Sequence, residues 1–408
     1  MSRTPASAGV TVRGVSSATS PRGFLRAADC NLDDFRAMVE VETDLADHPL
    51  AERIDRGIPV YSADELRNRL AGGLDRRVVE AEIATALLDG PGTIVVTGAM
   101  ESAVVDRASA VFFDLIDQQH ARGRSVGDHY AKPGANDRVW NSFEKHAIAD
   151  PDSFVEYYSN DVIALVATAW LGPSYQMSAQ VNVVNPGGDA QMPHRDYHIG
   201  FLTDAVAEAY PAHAHVMSPA LTLQGAVAHC DMPIESGPTF LLPHSQKYPA
   251  GYLAWRRPEF IEYFQRRYVQ SALAKGDLLF FNPALFHAGG RNETSHIRRM
   301  ANLLQISSSM ARAMETIDTA RITRAVYPSI LRAKRAGLSA DRVENVVATC
   351  SEGYAFPSNL DRDPPVGGLT PPSQTDVVRR AVAEEWTPDR LDAELNAHAE
   401  KRSSLDPW

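Results

Sequence analysis

The sequence predicts a mainly β core built as a double-sheet jelly roll, flanked by N- and C-terminal helices. Three observations carry this. Five short runs, 93–97, 176–184, 220–228, 278–281 and 300–306, are rich in β-branched, apolar or aromatic residues and bounded by Gly, Pro, Asn or Asp. Helix-period patterns dominate before residue 90 and return after about residue 310. No strand candidate leads into a glycine-rich phosphate loop, which counts against a doubly wound nucleotide-binding sheet.

Taken in order, residues 1–27 carry Arg3, Arg13, Arg22 and Arg26 among serines and alanines, with no acidic residue before Asp29. This reads as a disordered, solvated arm, the alternative being an organelle-targeting segment. Residues 28–90 form a helical segment. Asn31 caps a helix that buries Phe35, Met38 and Val39. Ser62-Ala-Asp-Glu65 is a capping box whose helix stops at Gly72-Gly73. From Asp75 to Asp89, Val78, Val79, Ile83, Ala86 and Leu87 share one side.

Residues 91–310 hold the β core, interrupted by helical patterns over 104–119 and 153–170. Residues 311–408 form a helical extension packed on it. There, a long pattern over 311–336 contains Pro328, which should kink or split it. Ser339 caps the next helix, 356–372 is an irregular Pro/Gly-rich crossing, and Thr387-Pro388 opens the last helix.

The chain has 408 residues, 44% hydrophobic and 22% charged, with 40 Lys+Arg against 51 Asp+Glu and a formal charge of −11. That acidic balance, without a dense basic run, excludes a broad nucleic-acid footprint. No apolar stretch approaches the ~18 residues needed to span a bilayer. Cys30, Cys230 and Cys350 are odd in number and far apart, which points to a reducing, cytoplasmic setting rather than a disulfide framework. Cys350 shares a helical stripe with Val343, Val346 and Val347 and belongs to the core. The expected partner is a small-molecule substrate, with neither nucleic acid nor membrane; a homodimer is compatible with the sequence.

The chemistry-bearing residues begin at His194-Arg195-Asp196. In extended chain, His194 and Asp196 point to the same side, as two ligands of one ion must. The preceding strand puts Gln180 and Asn182 on one face and Val181 and Val183 on the other. Asn185-Pro-Gly-Gly188 then turns the chain. A second triplet, His229-Cys230-Asp231, opens a turn-rich loop and is the weaker candidate. His198 falls on the ligand side as a pocket residue. A later strand delivers His287 at its exit, and Arg298 follows eleven residues on. Arg298 shares strand parity with Asn302 and Leu304, so it is expected to face the site while Arg299 faces outward. Two imidazoles and one carboxylate occupy one face of Fe(II) and leave three positions open. An arginine can then hold a dicarboxylate by a bidentate pair. That set suggests a 2-oxoglutarate-dependent oxygenase.

His-Arg-Asp-Tyr-His (194–198), Glu-Ser-Gly-Pro-Thr-Phe-Leu-Leu-Pro-His-Ser (235–245), Gly-Asp-Leu-Leu-Phe-Phe (276–281) and His287 followed by Arg298 together resemble the phytanoyl-CoA dioxygenase family over roughly residues 90–310. The resemblance implies a double-stranded β-helix core, Fe(II) on His194, Asp196 and His287, 2-oxoglutarate on Arg298, and O2 as oxidant. Gln180 and Asn182 are further cofactor or pocket contacts by strand parity. The family's Pro-Gly-Ser-His turn stands here as Pro243-His-Ser-Gln246, a change expected at the pocket rim. Asn185 replaces the family's usual residue before its Pro-Gly turn.

The implied reaction is hydroxylation of a C–H bond, yielding succinate and CO2. Asp196 favours oxygen insertion over halogenation, because related halogenases lack that carboxylate. Arg138-Val-Trp140-Asn141 and Lys145 supply a candidate pocket wall, and Thr222 and Gln224 share another strand face. Two other readings use the same residues. One is a metal-dependent hydrolase or lyase on a cupin-like barrel. The other is a non-catalytic jelly-roll binding protein.

Overall fold

Alternation of apolar side chains along the strands decides which face of the main sheet meets the helices and which meets the site. A computed structural model describes residues 23–123 and 134–404. The strands are β1 (Arg53–Asp55), β2 (Ile58–Ser62), β3 (Thr93–Thr97), β4 (Asn136–Val139), β5 (Tyr175–Val184), β6 (Thr222–Ala228), β7 (Phe240–Leu242), β8 (Leu278–Phe281), β9 (Phe286–Ala288) and β10 (Arg299–Ser308). Eight of them form one sheet in the order β1-β2-β3-β8-β6-β10-β5-β4, and β7 pairs with β9 in a second. The small sheet is widened by bridges at His194↔His287 and Leu241↔Val269. In the large sheet β2 and β3 pair in parallel, and the other pairs among the described residues are antiparallel.

On β10, Leu304 and Ile306 enter the large core beneath the helices, as do Val181 and Val183 on β5, Val227 on β6 and Phe280 on β8. The opposite parity, with Val95, Ala226, Ala228, Leu279 and Phe281, packs between the two sheets. Among the described residues helix exceeds strand, so the β character belongs to the inner frame.

The N-terminal helix Leu32–Val39 begins where Asn31 accepts from the Asp33 and Asp34 N–H groups. It drives Phe35 into the rings of Tyr248, Phe260, Tyr263 and Phe286, at centroid distances of 5.0–5.8 Å. Truncating a ring buried this fully costs roughly 3–5 kcal/mol, so this contact clamps the helix on the small sheet. The C-terminal extension joins the large core through Ile322, Val326, Ile330, Val346, Val347, Cys350, Val378 and Leu391.

Several boundaries depart from expectation. Residues 153–170 divide into two helices, Pro151–Tyr158 and Asp161–Leu171, because Asn160 accepts from Val162 and Ile163 N–H and starts a new cap. Val78 lies on the solvent side of its helix, 49% exposed. Residues 311–318 are not helical; one helix, Thr319–Arg335, contains Pro328 without splitting. The loop-like stretch around Lys145 contains the helix Ser142–Ala149, whose Phe143 packs on Phe154 and Tyr158. Of the expected arm, residues 1–22 lie outside the described residues, whereas Phe24 bridges to Pro211. Among the described residues no helix is long and apolar enough to cross a membrane.

Candidate active site

His194 and His287 meet because the chain after the Asn185–Gly188 turn pairs with the exit of β9. The His194 N–H donates to the His287 carbonyl at 2.9 Å, and the His194 carbonyl accepts from the His287 N–H at 3.1 Å. The chain then bends toward the loop after β8, where the Asp196 N–H donates to the Pro283 carbonyl at 3.0 Å. Arg195, between them, points the other way. Its guanidinium is buried, donates to the Ser245 and Tyr248 carbonyls and lies over the Tyr252 and Phe286 rings. The triplet is thereby pinned from behind while its two ligand side chains face forward.

Each imidazole is oriented by a backbone carbonyl two residues before it. His194 Nδ1 is 2.8 Å from the Met192 carbonyl and His287 Nδ1 is 2.9 Å from the Leu285 carbonyl. Carbonyls only accept, so each ring carries a proton on Nδ1 and turns its Nε2 toward Asp196. His194 Nε2 lies 3.7 Å from Asp196 Oδ1, and His287 Nε2 lies 3.4 Å from Asp196 Oδ2. All three ligand atoms fall within 4.8 Å of one another. Ligands held about 2.1 Å from one ion at right angles are about 3 Å apart. The cluster therefore fits a divalent metal with small adjustments, and its N,N,O donor set suits Fe(II).

Burial pushes the Asp196 carboxyl up, but His194, His287 and a hydrogen bond from Gln224 overcome it and hold the group well below the usual carboxylate range. Gln224 Nε2 donates to Asp196 Oδ2 at 2.6 Å. Gln305 Oε1 accepts from Tyr197 Oη at 2.7 Å and from Gln224 Nε2 at 3.3 Å. Tyr197 sits at φ 41°, a strained conformation for a non-glycine residue, and its hydroxyl bond to Gln305 helps to hold it there. Sequence parity identified Gln224. It missed Gln305 and Tyr197, whose partners lie 81 and 108 residues away. Thr222 is buried but does not line the cavity.

The cluster opens into a cavity of ≈ 1170 Å³, mouth included. Gln180 and Asn182 line it, in keeping with their strand parity, and so do Arg138 and Trp140. Phe281, Ala226 and Leu303 supply apolar wall. Met314, from the segment after β10, adds another wall. Its sulfur accepts from Tyr197 Oη at 3.0 Å, so the extension contributes directly to the site.

The arginine expectation is overturned. Arg298 is 48% exposed, 3.5 Å from Asp137, and lies over the Phe113 ring outside the cavity. Arg299 lines the cavity instead, buried, with its guanidinium on the Gly237 carbonyl. The register explains the exchange. Arg299, Ala301, Leu303 and Gln305 share the cavity parity, whereas Asn302 bonds to Tyr157 and Tyr158 on the helix side. Gly237, at φ +75°, turns its carbonyl toward Arg299, and a Cβ there would strike the Arg291 carbonyl. Burial pushes the Arg299 guanidinium down to about 10, still charged at neutral pH.

His229 lies on the helix side between Ser109 Oγ at 2.8 Å and Tyr157 Oη at 2.9 Å, a core histidine pushed down by burial to about 3. Asp231 accepts from the Lys275 N–H. His198 starts a short 3-10 helix and does not line the cavity. His244, where the related turn has glycine, adopts φ +68° and packs on Thr43 and Lys247 rather than the pocket rim.

A family model described as phytanoyl-CoA dioxygenase (PhyH) matches residues 74–300, more than half of the chain and every residue of the His-Asp-His cluster. The chain belongs to the phytanoyl-CoA dioxygenase family. Members are iron- and 2-oxoglutarate-dependent enzymes, and this chain is one of them. No curated protein matches the sequence. Among solved structures, the chain is similar to the non-heme alpha-ketoglutarate-dependent epimerase SnoN from nogalamycin biosynthesis. Identity is 20%, coverage 57% of this chain and 82% of SnoN, and TM-score 0.39. The carbocyclase SnoK from the same biosynthesis gives 16% identity, coverage of 59% and 86%, and TM-score 0.41. AviO1 from Streptomyces viridochromogenes Tue57 gives 16% identity, coverage of 59% and 97%, and TM-score 0.42.

Proposed function

We propose that this family member hydroxylates a C–H bond of a small molecule, with succinate and CO2 as co-products, on a double-stranded β-helix whose larger and smaller sheets enclose the cavity. The observation that carries the reading is one cavity joining the His194-Asp196-His287 cluster to the buried guanidinium of Arg299. His194, Asp196 and His287 would hold Fe(II), and Arg299, in place of Arg298, would pair with the distal carboxylate of 2-oxoglutarate. Iron and 2-oxoglutarate supply the oxidising chemistry with O2; this chain supplies position and exclusion of water.

Gln224 keeps Asp196 oriented through Oδ2, and the two backbone carbonyls keep each imidazole in one tautomer. Asn182 lies on the cavity wall two residue pairs along the β5–β10 ladder from Arg299, suited to the side of 2-oxoglutarate. Among the described residues lining the cavity, no carboxylate or imidazole exists beyond the cluster itself. A hydrolase would require a general base there, so the lining favours oxidative chemistry over hydrolysis.

The test is anaerobic titration of the metal-free protein with Fe(II) and then 2-oxoglutarate, following the weak visible charge-transfer band of the chelate. The band should form with wild type, vanish in His287→Ala and weaken in Arg299→Gln. Bound metal without a band would sink the reading.

A further inference from the structure

Arg195 carries a charge that pinning the chain does not require. It stands between two cluster residues in sequence, is 2% exposed, and points away from them. Its hydrogen-bond acceptors are backbone carbonyls, those of Ser245 and Tyr248. Its guanidinium carbon lies 5.2 Å and 5.1 Å from the centres of the Tyr252 and Phe286 rings. Gly251 makes room for it, since a Cβ there would strike the guanidinium. Among the described residues no carboxylate pairs with it. The titratable groups facing it are Cys30, His215, Tyr248 and Tyr252. Burial pushes the Cys30 thiol up to about 11, raises both phenols and lowers the imidazole, so all four are neutral at pH 7. The acids beyond them, Asp204 and Glu259, are met by Arg256 at 3.1 Å and Arg257 at 2.8 Å. Asp196, one residue on, turns its carboxylate to the cluster. An unpaired cation is costly to take out of water, and an apolar side chain of similar volume would fill this place without that cost.

We propose that Arg195 sets the preferred oxidation state of the metal through its charge: a fixed cation behind the cluster favours Fe(II) over Fe(III). This rests on the assignment of iron to His194, Asp196 and His287. The sign follows from Coulomb's law. A positive charge opposes both ions, and opposes the trication more by one unit of charge. Successive side chains leave extended chain on opposite sides, which puts the guanidinium and the ligand atoms roughly 10 Å apart. At an effective dielectric of about 20, one extra unit charge at that distance changes the Fe(III)/Fe(II) affinity ratio about tenfold. The ligands themselves do not depend on that charge for their placement, because the His194 and Asp196 N–H groups are held by the His287 and Pro283 carbonyls. The chemistry that 2-oxoglutarate and O2 supply starts from Fe(II). A site that prefers the reduced ion keeps it ready between turnovers.

Anaerobic redox titration of the full-length, iron-loaded protein, without 2-oxoglutarate, tests this by the high-spin Fe(III) signal in electron paramagnetic resonance. Arg195→Gln should raise the Fe(III)/Fe(II) affinity ratio about tenfold, a fall in midpoint of about 59 mV for one electron. Arg195→Lys, which keeps a charge in the same place, should stay near wild type. Cys30→Asp sets a carboxylate against the guanidinium without removing its carbonyl partners, and should reproduce the fall. It decides the matter if Arg195→Gln does not fold. A role in packing alone predicts weaker binding of both ions and an unchanged midpoint. That result overturns the proposal, as does a midpoint that falls equally in Arg195→Lys or stays at the wild-type value in Cys30→Asp. The metal assignment fails separately, and takes the proposal with it, if wild type binds no iron or His287→Ala binds it equally in competition with a chelating dye.

Discussion

Gln224 Nε2 stands 2.6 Å from Asp196 Oδ2, the oxygen that also faces His287 Nε2 at 3.4 Å. The amide holds the carboxylate in one rotation and links it through Gln305 to Tyr197, so the metal cluster is braced by the floor of the large sheet. Partners of this kind are worth roughly 10–100-fold in metal affinity. Gln224→Leu should lose about that much affinity for Fe(II), read by competition with a chelating dye, while circular dichroism stays native. Unaltered affinity would remove Gln224 from the metal site.

Arg299 and Arg298 are neighbours with opposite fates, and kinetics distinguishes them. Arg299→Gln should raise the KM for 2-oxoglutarate by about tenfold or more, because a buried charged partner is lost. Arg298→Gln, which removes an exposed ion pair worth about 0–1 kcal/mol, should change it little. The reverse pattern would restore the arginine favoured by spacing alone.

Asp196→Ala should abolish substrate-coupled succinate formation, since it removes the cluster's anionic ligand. A variant retaining full product formation would exclude Asp196 from the metal site.

Two core histidines predict an acid-sensitive fold. His146 and His229 are each pushed down to about 3, chiefly by burial. Their folded values lie below the ordinary value of 6.5, so between about pH 6.5 and pH 3 the unfolded chain binds more protons and stability falls as pH falls. Each contributes a slope approaching 1.4 kcal/mol per pH unit in that window. Urea denaturation of the metal-free protein between pH 4 and pH 7 should show it, and His229→Gln should flatten the slope by about one histidine's share. An unchanged slope would mean that His229 protonates without unfolding.

Truncation before Phe356 should destabilise the whole fold rather than merely open the pocket. Tyr327 Oη donates to the Ala381 and Trp386 carbonyls, and Val378, Leu391 and Leu395 complete the large core. Met314, the extension's residue in the cavity wall, precedes that cut. The truncated chain should lose cooperative thermal unfolding, whereas Met314→Ala should keep it and alter substrate turnover. A truncated chain with native Tm would contradict this division.

What the sequence determined by itself was local or periodic. The short apolar runs 93–97 and 278–281 became β3 and β8 to the residue, and caps at Asn31, Ser62, Ser339 and Thr387 start their helices as expected. His194 and Asp196 share a side because extended chain repeats every two residues, and Gln180 and Asn182 turn to the cavity for the same reason. The tertiary structure decided everything that needed a register. Two adjacent arginines precede Met300, and which one enters the cavity depends on how β10 pairs with β5 and β6. A shift of one residue sends every side chain to the other face. Arg299 opposite Val184 sets that register, and with it Arg298 turns to solvent and Arg299 to the site. The pairing of Gln305 with Gln224, the tie from Tyr197 and the arrival of Arg138 beside Gln180 are likewise contacts across many residues, which no local pattern encodes.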